Sequence, residues 1–184
     1  MTQVMLKRVR LAFPSIFTPS AFGDGNPAYG AKLIIDPNSP NTATIRKAIA
    51  ETTKDAWGEK AEQIVKKIVE DKKSAWVEGP YRNANGDVYS GFEGMFNLST
   101  RSEKLRPTAL SRNKQPVTEA DGVIYAGCYV DASVDIYAFD SPKWGKRINA
   151  VLRGVRFVED GEAFGGSSSA SADDFDDLPE DDFV

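Results

Sequence analysis

Apolar and polar residues alternate over several stretches of the chain, and this alternation predicts β-strands. Near the N-terminus, Val9, Leu11 and Phe13 are expected on one face of a strand, with Arg8 and Arg10 on the other. The strands predicted in this way are 4–13, 28–36, 91–102, 127–140 and 147–160, together with a part of 104–117. The chain is therefore expected to be rich in sheet.

A helical period replaces the alternation between the second and third strands. Apolar residues recur at three- and four-residue spacing in 41–57 and again in 59–72, with Glu and Lys on the opposite face of the second segment. Pro40 and Gly58 are typical of a helix start and a helix end. The sequence therefore predicts two helices, or one helix broken at Gly58.

Five or six strands with a helical insertion at about residues 40–73 indicate a mainly β fold of the α+β class. The strands at 127–140 and 147–160 are long, as closed or strongly curved sheets require. A five-stranded, partly open barrel of the oligonucleotide/oligosaccharide-binding (OB) type fits this order, and a β-sandwich is the competing architecture. The domain is expected to cover 1–163, and a flexible linker with an acidic tail is expected to cover 164–184.

Charge is segregated along the chain. Seven of the 27 acidic residues lie within 173–182, which leaves 20 acidic and 23 basic residues in 1–172. A basic body with an acidic tail favours a polyanion as partner, with the tail as a competitor for the same surface.

Rare and absent residue types exclude several kinds of site. The chain has no histidine and a single cysteine, Cys128. A His/Cys zinc site, an intrachain disulfide and catalysis through a histidine base are therefore excluded, and no cofactor is expected. The charged N-terminus predicts no signal peptide, and the sequence predicts no membrane span, so a cytoplasmic location is expected.

Basic and aromatic residues are interleaved in three stretches of the body. Proteins that bind single strands without sequence preference need cations that follow the phosphates and flat rings on which bases stack. Tyr81 and Tyr89 flank a predicted hairpin turn at Asn85-Gly86, and Trp144 lies in another turn, where core burial is less expected. The candidate nucleic-acid-binding residues are Tyr81, Arg82, Tyr89, Arg101, Lys104, Arg106, Arg112, Lys114, Lys143, Trp144, Lys146, Arg147 and Arg153.

The acidic tail also contains large apolar residues, which a tail serving only solubility does not need. Its seven negative charges imitate a short stretch of phosphate backbone, and Phe175 and Phe183 fit sites meant for bases. Once nucleic acid displaces the tail, its end is expected to anchor on replication or recombination proteins. The tail residues expected to contact partners are Asp176, Asp177, Asp181, Asp182 and Phe183.

Four segments together carry a family resemblance: "LKRVRLAFPSIFTPSAFGDGNPAYGAKLIID", the helical insertion, "VDIYAFD" and the acidic terminus. With these segments the whole chain resembles the single-stranded DNA-binding proteins of tailed bacteriophages. The resemblance implies a non-catalytic protein that coats and protects single-stranded DNA during phage DNA replication, recombination and repair, in the host cytoplasm. Bacterial relatives are typically tetrameric and phage members vary, so a homo-oligomer or a cooperative assembly on DNA is compatible with it.

Several alternatives stay open at this point. One alternative is an annealing or duplex-binding protein. Another is an interaction protein, either a recombination mediator or a nucleic-acid mimic that uses its acidic tail to block another protein. A metal-dependent nuclease is a further alternative, because Asp131 and Asp135 share one strand face. RNA stays open beside DNA, since stacking and phosphate contacts do not read the 2′-hydroxyl.

Overall fold

The computed structural model of the protein describes residues 1–21 and 24–164. In these ranges the strands are β1 (Thr2–Ser20), β2 (Ala28–Ile35), β3 (Trp76–Val77), β4 (Phe96–Ser102), β5 (Thr108–Leu110), β6 (Tyr129–Ser141) and β7 (Gly145–Glu159). The helices are α1 (Pro40–Trp57) and α2 (Ala61–Glu70), and single 3-10 turns lie at Gly58–Lys60 and Glu119–Asp121. The predicted mainly β fold with a helical insertion is confirmed.

All of these strands belong to one sheet, in the order β3-β4-β2-β1-β6-β7-β5. Neighbouring strands are antiparallel except β5 and β7. Strands β4 and β7 lie against each other without forming a ladder. Ala75 bridges them, because its N–H donates to the Ile148 carbonyl of β7 at 2.8 Å and its carbonyl accepts from the Ser99 N–H of β4 at 2.9 Å. The sheet therefore curves into a partly open barrel but does not itself close.

The described residues form two strands more than the five-stranded barrel that the sequence predicted. One of the two, β5, lies within 104–117, where the sequence predicted a partial strand, and the other, β3, was not predicted. Both are edge strands, of three and two residues. A segment as short as β3 shows no period that can be recognised in a sequence. The predicted strand 91–102 begins only at Phe96, because the residues before it form turns.

The hydrophobic core lies inside the barrel and between the barrel and α1. Leu6, Leu33 and Leu98 are fully buried there, and α1 adds Ile45 and Ala48. Burying a side chain of the size of leucine stabilises the fold by about 1.5–3 kcal/mol. The apolar positions of the alternating stretches therefore hold the barrel together.

The helical insertion has the two helices that the sequence predicted, and the break falls at Gly58. Pro40 lies in the first turn of α1, where an N–H has no intrahelical partner and its absence is harmless. Gly58 follows α1 with a φ of 61°, a conformation that favours glycine. Ile68 of α2 is buried while Val69 is exposed. Neither helix in the described ranges is long and apolar enough to cross a membrane.

The first irregularity of β1 falls at Arg8, whose φ is 50°. The pairing of β1 with β6 shifts its register just before Val9. Side chains satisfy the backbone groups that the shift releases: Lys7 N–H donates to Asn41 Oδ1 at 2.9 Å, and Asn41 Nδ2 donates to the Lys7 carbonyl at 2.8 Å. The Arg8 N–H donates to Asp131 Oδ1 at 3.0 Å. The irregularity thus ties β1 to α1 and to β6.

The second irregularity of β1 falls at Phe13, whose φ is 47°. The pairing of β1 with β2 shifts its register between Ala12 and Ser15. Val9 and Leu11 are buried in the core, but Phe13 is 51% exposed on the outer face of the sheet. The prediction that these three residues share one face is therefore wrong, because the register shift turns Phe13 to the other side of the sheet.

Asp131 lies beneath the first irregularity and is only 8% exposed. Burial by itself raises the pKa of this carboxyl group. Hydrogen bonds from Arg156 and from the Arg8 N–H, with the Lys7 ammonium 3.7 Å away, outweigh burial and hold the pKa below its usual value. The ionised carboxylate is therefore part of the folded structure.

Asp131→Asn is predicted to lower the free energy of unfolding by about 1–3 kcal/mol at neutral pH, because a charge-assisted hydrogen bond is lost from a buried site. The lowered pKa means that the carboxylate stabilises the fold fully above the pKa of an unfolded aspartate, about 3.9. This stabilisation is lost as the pH falls through the lower folded value. In urea unfolding, the difference between the wild-type protein and the variant should therefore shrink under strongly acidic conditions.

The control for this measurement is Asp140→Asn, since Asp140 forms a half-exposed pair with Lys146. Such pairs contribute little to stability, so the control should change the unfolding free energy only slightly at either pH. An Asp131→Asn difference that is equally large at neutral and acidic pH would contradict the assignment of the stabilisation to the ionised carboxylate.

Candidate nucleic-acid interface

The outer face of β1, β2 and β4 carries a half-buried lysine. Ala12, Lys32 and Ser99 are neighbours across these three strands. The Lys32 ammonium donates to Ser99 Oγ at 2.6 Å and lies 3.9 Å from the centre of the Tyr81 ring. Burial lowers the pKa of Lys32, because desolvation disfavours the charged form. A cation in such a site attracts an incoming anion more strongly than a cation in bulk water does.

Residues 79–95 cover this face as a loop. A tight turn is present where the sequence predicted one, but its central residues are Ala84 and Asn85, because the Gly86 N–H donates to the Asn83 carbonyl at 3.0 Å; Gly86 follows with a φ of 86°. The two arms of the loop meet at one isolated bridge between Arg82 and Val88 and form no longer ladder. The position of the loop therefore depends on the packing of its side chains against the sheet.

Four rings form an aromatic platform on this face: Phe13, Tyr81, Tyr89 and Phe92. Tyr81 and Tyr89 stack with a centroid distance of 4.8 Å and an interplanar angle of 15°. Phe92 is fully buried within a second apolar cluster, separate from the barrel core. Phe13 meets Tyr81 and Tyr89 edge-on, at centroid distances of 5.8 and 5.3 Å. The two tyrosines are thus half-buried, and Phe13 is the exposed ring of the platform.

Sequence reasoning missed Phe13 and Lys32 as site residues. The left-handed backbone of Phe13 costs about 1–2 kcal/mol for a residue with a side chain. An exposed ring held at a strained position indicates a functional role. The available signal was Pro14, which lacks the N–H that a regular ladder needs and so marks an interruption of the strand. For Lys32 the signal was a single charged residue within a strand of small and apolar residues.

Four of the predicted binding residues lie around the platform: Tyr81, Arg82, Tyr89 and Arg101. Arg101 follows Ser99 on the outer side of β4, and its guanidinium pairs with Glu103 at 3.0 Å. Arg82 donates to the Gly86 carbonyl at 2.9 Å and stays exposed. The structure therefore brings rings and cations from separate parts of the sequence onto one face.

A second basic surface lies beside the edge strand β5. Here a groove of about 340 Å³ runs over the outer face of β1, β6 and β7. Lys7, Lys114 and Arg156 line it together with the buried Asp131, and Val155 contributes to its apolar wall. Of these cations only Lys114 was among the predicted binding residues. Three further predicted cations, Lys104, Arg106 and Arg112, lie on either side of β5, and all of them are exposed. None of these three, nor Lys114, forms an ion pair with a described residue.

The turn between β6 and β7 presents a third group. Trp144 is 55% exposed, and the Lys143 ammonium lies 4.8 Å from the centre of its ring. Lys146 is paired with Asp140 at 2.8 Å, and Arg147 is half-buried. Trp144 and Lys143 are therefore the accessible pair of predicted residues in this turn.

Arg153 has a different environment from the other predicted cations. It pairs with Asp135, whose side chain is nearly fully buried, as Arg156 pairs with Asp131. The two aspartates considered as a metal pair are thus each engaged by an arginine, below the surface rather than on a solvated strand face. In the ranges that the structure describes, no cluster of three or more His, Cys, Asp or Glu side chains is placed to hold a metal ion.

Comparisons with known proteins agree on one family. The family model described as the single-stranded DNA-binding protein of Enterobacter phage Enc34 matches residues 2–184. The chain belongs to this family. The resemblance to phage single-stranded DNA-binding proteins that the sequence indicated is thereby confirmed.

Individual members and structures are similar over most of the chain. Putative protein p50 of Acyrthosiphon pisum secondary endosymbiont phage 1 is 37% identical over 179 residues, which cover 96% of this chain and 94% of that protein. The single-stranded DNA-binding protein from bacteriophage Enc34, solved in complex with single-stranded DNA, has a TM-score of 0.72 at 25% identity over 89% of each chain. Gp2.5, a single-stranded DNA-binding protein encoded by bacteriophage T7, has a TM-score of 0.55 at 14% identity and covers 100% of this chain and 98% of its own. At this identity the likeness to gp2.5 shows the fold alone.

The tail residues that the sequence singled out lie outside the described residues; they are Asp176, Asp177, Asp181, Asp182 and Phe183. The last residue before the tail that the structure describes is Phe164. Its ring packs against the guanidinium of Arg10, 4.0 Å away. The described chain therefore ends on the face that carries the aromatic platform.

Proposed function

We propose that this protein binds single-stranded DNA with little base preference and coats it during phage DNA replication, recombination and repair in the host cell. The aromatic platform and the cations around it form the centre of the interface. The protein acts by binding, without a catalytic step. Membership of the Enc34 family supports this proposal, as does the likeness to a structure solved with single-stranded DNA.

The observation that carries the proposal is the exposed ring of Phe13 on the stacked pair of Tyr81 and Tyr89, beside the Lys32 ammonium. An unpaired base stacks on such a ring whatever its identity, because every base has a π-face. Stacking of this kind is worth about 1–3 kcal/mol per base. The platform therefore favours an unpaired strand over a duplex, whose bases are already stacked on one another.

Cations on both sides of the platform are suited to follow the phosphates of a bound strand. Arg101 lies two residues beyond Ser99 along β4, which is about 7 Å in an extended strand. Arg82 lies in the loop that carries the tyrosines. Farther along the outer face, the groove beside β5 adds Lys7 and Lys114. Neutralising phosphates with these side chains releases counterions and makes binding sensitive to salt.

The acidic tail is part of the proposal. The described chain ends at Phe164, on the same face as the platform. Eight residues separate Phe164 from the first of the seven acidic residues, and a Gly/Ser-rich segment of that length spans about 15 Å, which is enough to reach the cations that would hold phosphates. The tail then competes with DNA for these cations and, once displaced, recruits replication or recombination proteins through its acidic and aromatic end.

Phe13→Ala is predicted to weaken binding of an oligo-deoxythymidine by about 5- to 150-fold, the range that follows from the loss of one stacked base. The free energy of unfolding should fall by only about 1–2 kcal/mol, because the ring is half-exposed and loses only its contacts with the other platform rings. Tryptophan fluorescence titration gives the affinity and urea unfolding gives the stability. Val69→Ala on α2, an exposed apolar residue away from the sheet face, is the control and should bind as the wild-type protein does. Equal affinities for the wild-type protein and Phe13→Ala would show that the platform is not part of the DNA-binding interface.

Replacing the seven acidic residues of 173–182 with their amides is predicted to tighten binding severalfold at low salt, because a competing anion is removed. The gain should fade as salt rises, since screening already weakens the tail. The same titration, repeated at several salt concentrations on the full-length variant, measures this. The double variant Phe175→Ala with Phe183→Ala keeps the charge of the tail. It therefore measures the contribution of the apolar side chains to the competition separately from that of the charge. An affinity that is unaffected by the amide substitutions at every salt concentration would reduce the tail to a docking or solubility element.

A further inference from the structure

The last described residues, 160–164, form a short segment without regular secondary structure after β7, and we call it the C-terminal strap. It runs past the residues that precede β6. The Gly161 N–H donates to the hydroxyl oxygen of Tyr125 at 3.2 Å, and the Phe164 N–H donates to the Ala126 carbonyl at 3.0 Å. The strap is thus held by specific hydrogen bonds at both ends, although the sequence assigned its last residue to a flexible linker.

Arg10 of β1 fastens the middle and the end of the strap. Its Nη2 donates to the Glu162 carbonyl at 2.6 Å, and its Nε donates to the Gly127 carbonyl at 3.1 Å. The guanidinium also lies over the Phe164 ring at 4.0 Å. A Cβ atom on Gly127 would lie 2.2 Å from the Glu162 carbonyl oxygen, so only glycine permits this close approach.

Phe164 in turn contacts the loop that carries the tyrosines. A Cβ atom on Gly91 would lie 2.4 Å from Cζ of the Phe164 ring, so the ring occupies the space that a side chain on Gly91 would need. Gly91 precedes Phe92, the buried ring of the platform, and Phe164 packs against the same apolar cluster. The ring of Phe164 is therefore wedged between Arg10 and the 89–92 turn.

We propose that Phe164 is a positioning residue for the aromatic platform. By packing on Gly91 it fixes the 89–92 turn, and through that turn it fixes the stack of Tyr89 on Tyr81 against which Phe13 rests. The folded body that binds DNA accordingly extends through Phe164. The part of this inference that concerns affinity rests on the proposed binding of single-stranded DNA; the part that concerns the order of the loop does not.

The physical reason is the weak internal structure of the loop. The two arms of residues 79–95 are joined by one isolated bridge, between Arg82 and Val88. Two backbone hydrogen bonds flank it, from the Asn83 N–H to the Asp87 carbonyl at 2.8 Å and from the Tyr89 N–H to the Tyr81 carbonyl at 3.0 Å, and no longer ladder follows. Segments with few ordered contacts open locally at small free-energy cost. A platform that must be ordered when DNA arrives loses affinity by that ordering cost, whereas a fixed platform does not.

The first experiment compares two full-length variants, Phe164→Ala and Phe96→Ala. Each removes a half-buried phenylalanine with an arginine beside its ring, but Phe96 packs on Trp76 and Arg46, next to the helical insertion. Amide hydrogen exchange in 81–92 should rise about tenfold in Phe164→Ala and stay at the wild-type level in Phe96→Ala. The affinity for oligo-deoxythymidine should fall about 3- to 10-fold in Phe164→Ala only, as expected when a preorganised site must be reordered on binding.

A second pair of variants tests the contact from the other side. Gly91→Ala places a methyl group against the Phe164 ring and should raise exchange in 81–92 as Phe164→Ala does. Gly94→Ala in the same loop is the matched control, because Gly94 also has a positive φ, of 70°, but no neighbour within 4 Å of its Cβ position. In the Phe164→Ala background, Gly91→Ala should raise exchange in 81–92 no more than Gly94→Ala does, because the new methyl group no longer clashes with a ring at position 164.

Each outcome decides the inference. Unchanged exchange in 81–92 for both Phe164→Ala and Gly91→Ala overturns it, whatever the affinities are. Raised exchange with an unchanged affinity for DNA also overturns it, because the order that Phe164 gives to the platform would then have no effect on binding. Raised exchange in a protein whose wild-type form binds no single-stranded DNA rejects the proposed function and confirms only that Phe164 orders the loop.

Discussion

Strand β1 pairs with β2 on one side and with β6 on the other, and its backbone enters the left-handed region twice along the way. Much of the structure depends on these two irregularities. The first, at Arg8, exposes backbone groups that Asn41 and Asp131 satisfy, so the helical insertion and β6 are tied to β1. The second turns Phe13 out of the core and onto the tyrosine stack. A regular strand would bury Phe13 and leave the outer face without its exposed ring.

The strands and helices could be predicted from the hydrophobic period and from the residues at the turns. The register of the strands could not. Alternation located the four longest strands, and helical spacing with Gly58 located both helices. The side on which Phe13 lies could not be predicted, because a period of two assumes an uninterrupted ladder. The burial of Asp131 was equally hidden. Its partner Arg156 comes from the neighbouring strand β7, and a single sequence does not show which residues of two strands face each other.

The types of residue in the candidate site could be predicted from the sequence, but the accessibility of each residue could be predicted only in part. Interleaved rings and cations pointed to a nucleic-acid surface, and the turn at 83–86 brought Tyr81 and Tyr89 together as its predicted position suggested. Which cations are accessible is a tertiary property. Arg153 and Arg112 look alike in the sequence, yet the first neutralises a buried aspartate and the second has no carboxylate partner among the described residues. The strap could not be predicted, because it is a short segment of polar residues and glycine before a Gly/Ser-rich stretch and has no hydrophobic period.

The central claim is that an unpaired base contacts the aromatic platform, and photo-crosslinking tests it most directly. A single-stranded oligonucleotide that carries 5-iododeoxyuridine is irradiated on the full-length protein, and mass spectrometry locates the linked residues. The account predicts crosslinks to Phe13 and to Tyr81 or Tyr89, which salt and an excess of unlabelled oligo-deoxythymidine abolish. Efficient crosslinks confined to the helical insertion, with none on the platform, would contradict it.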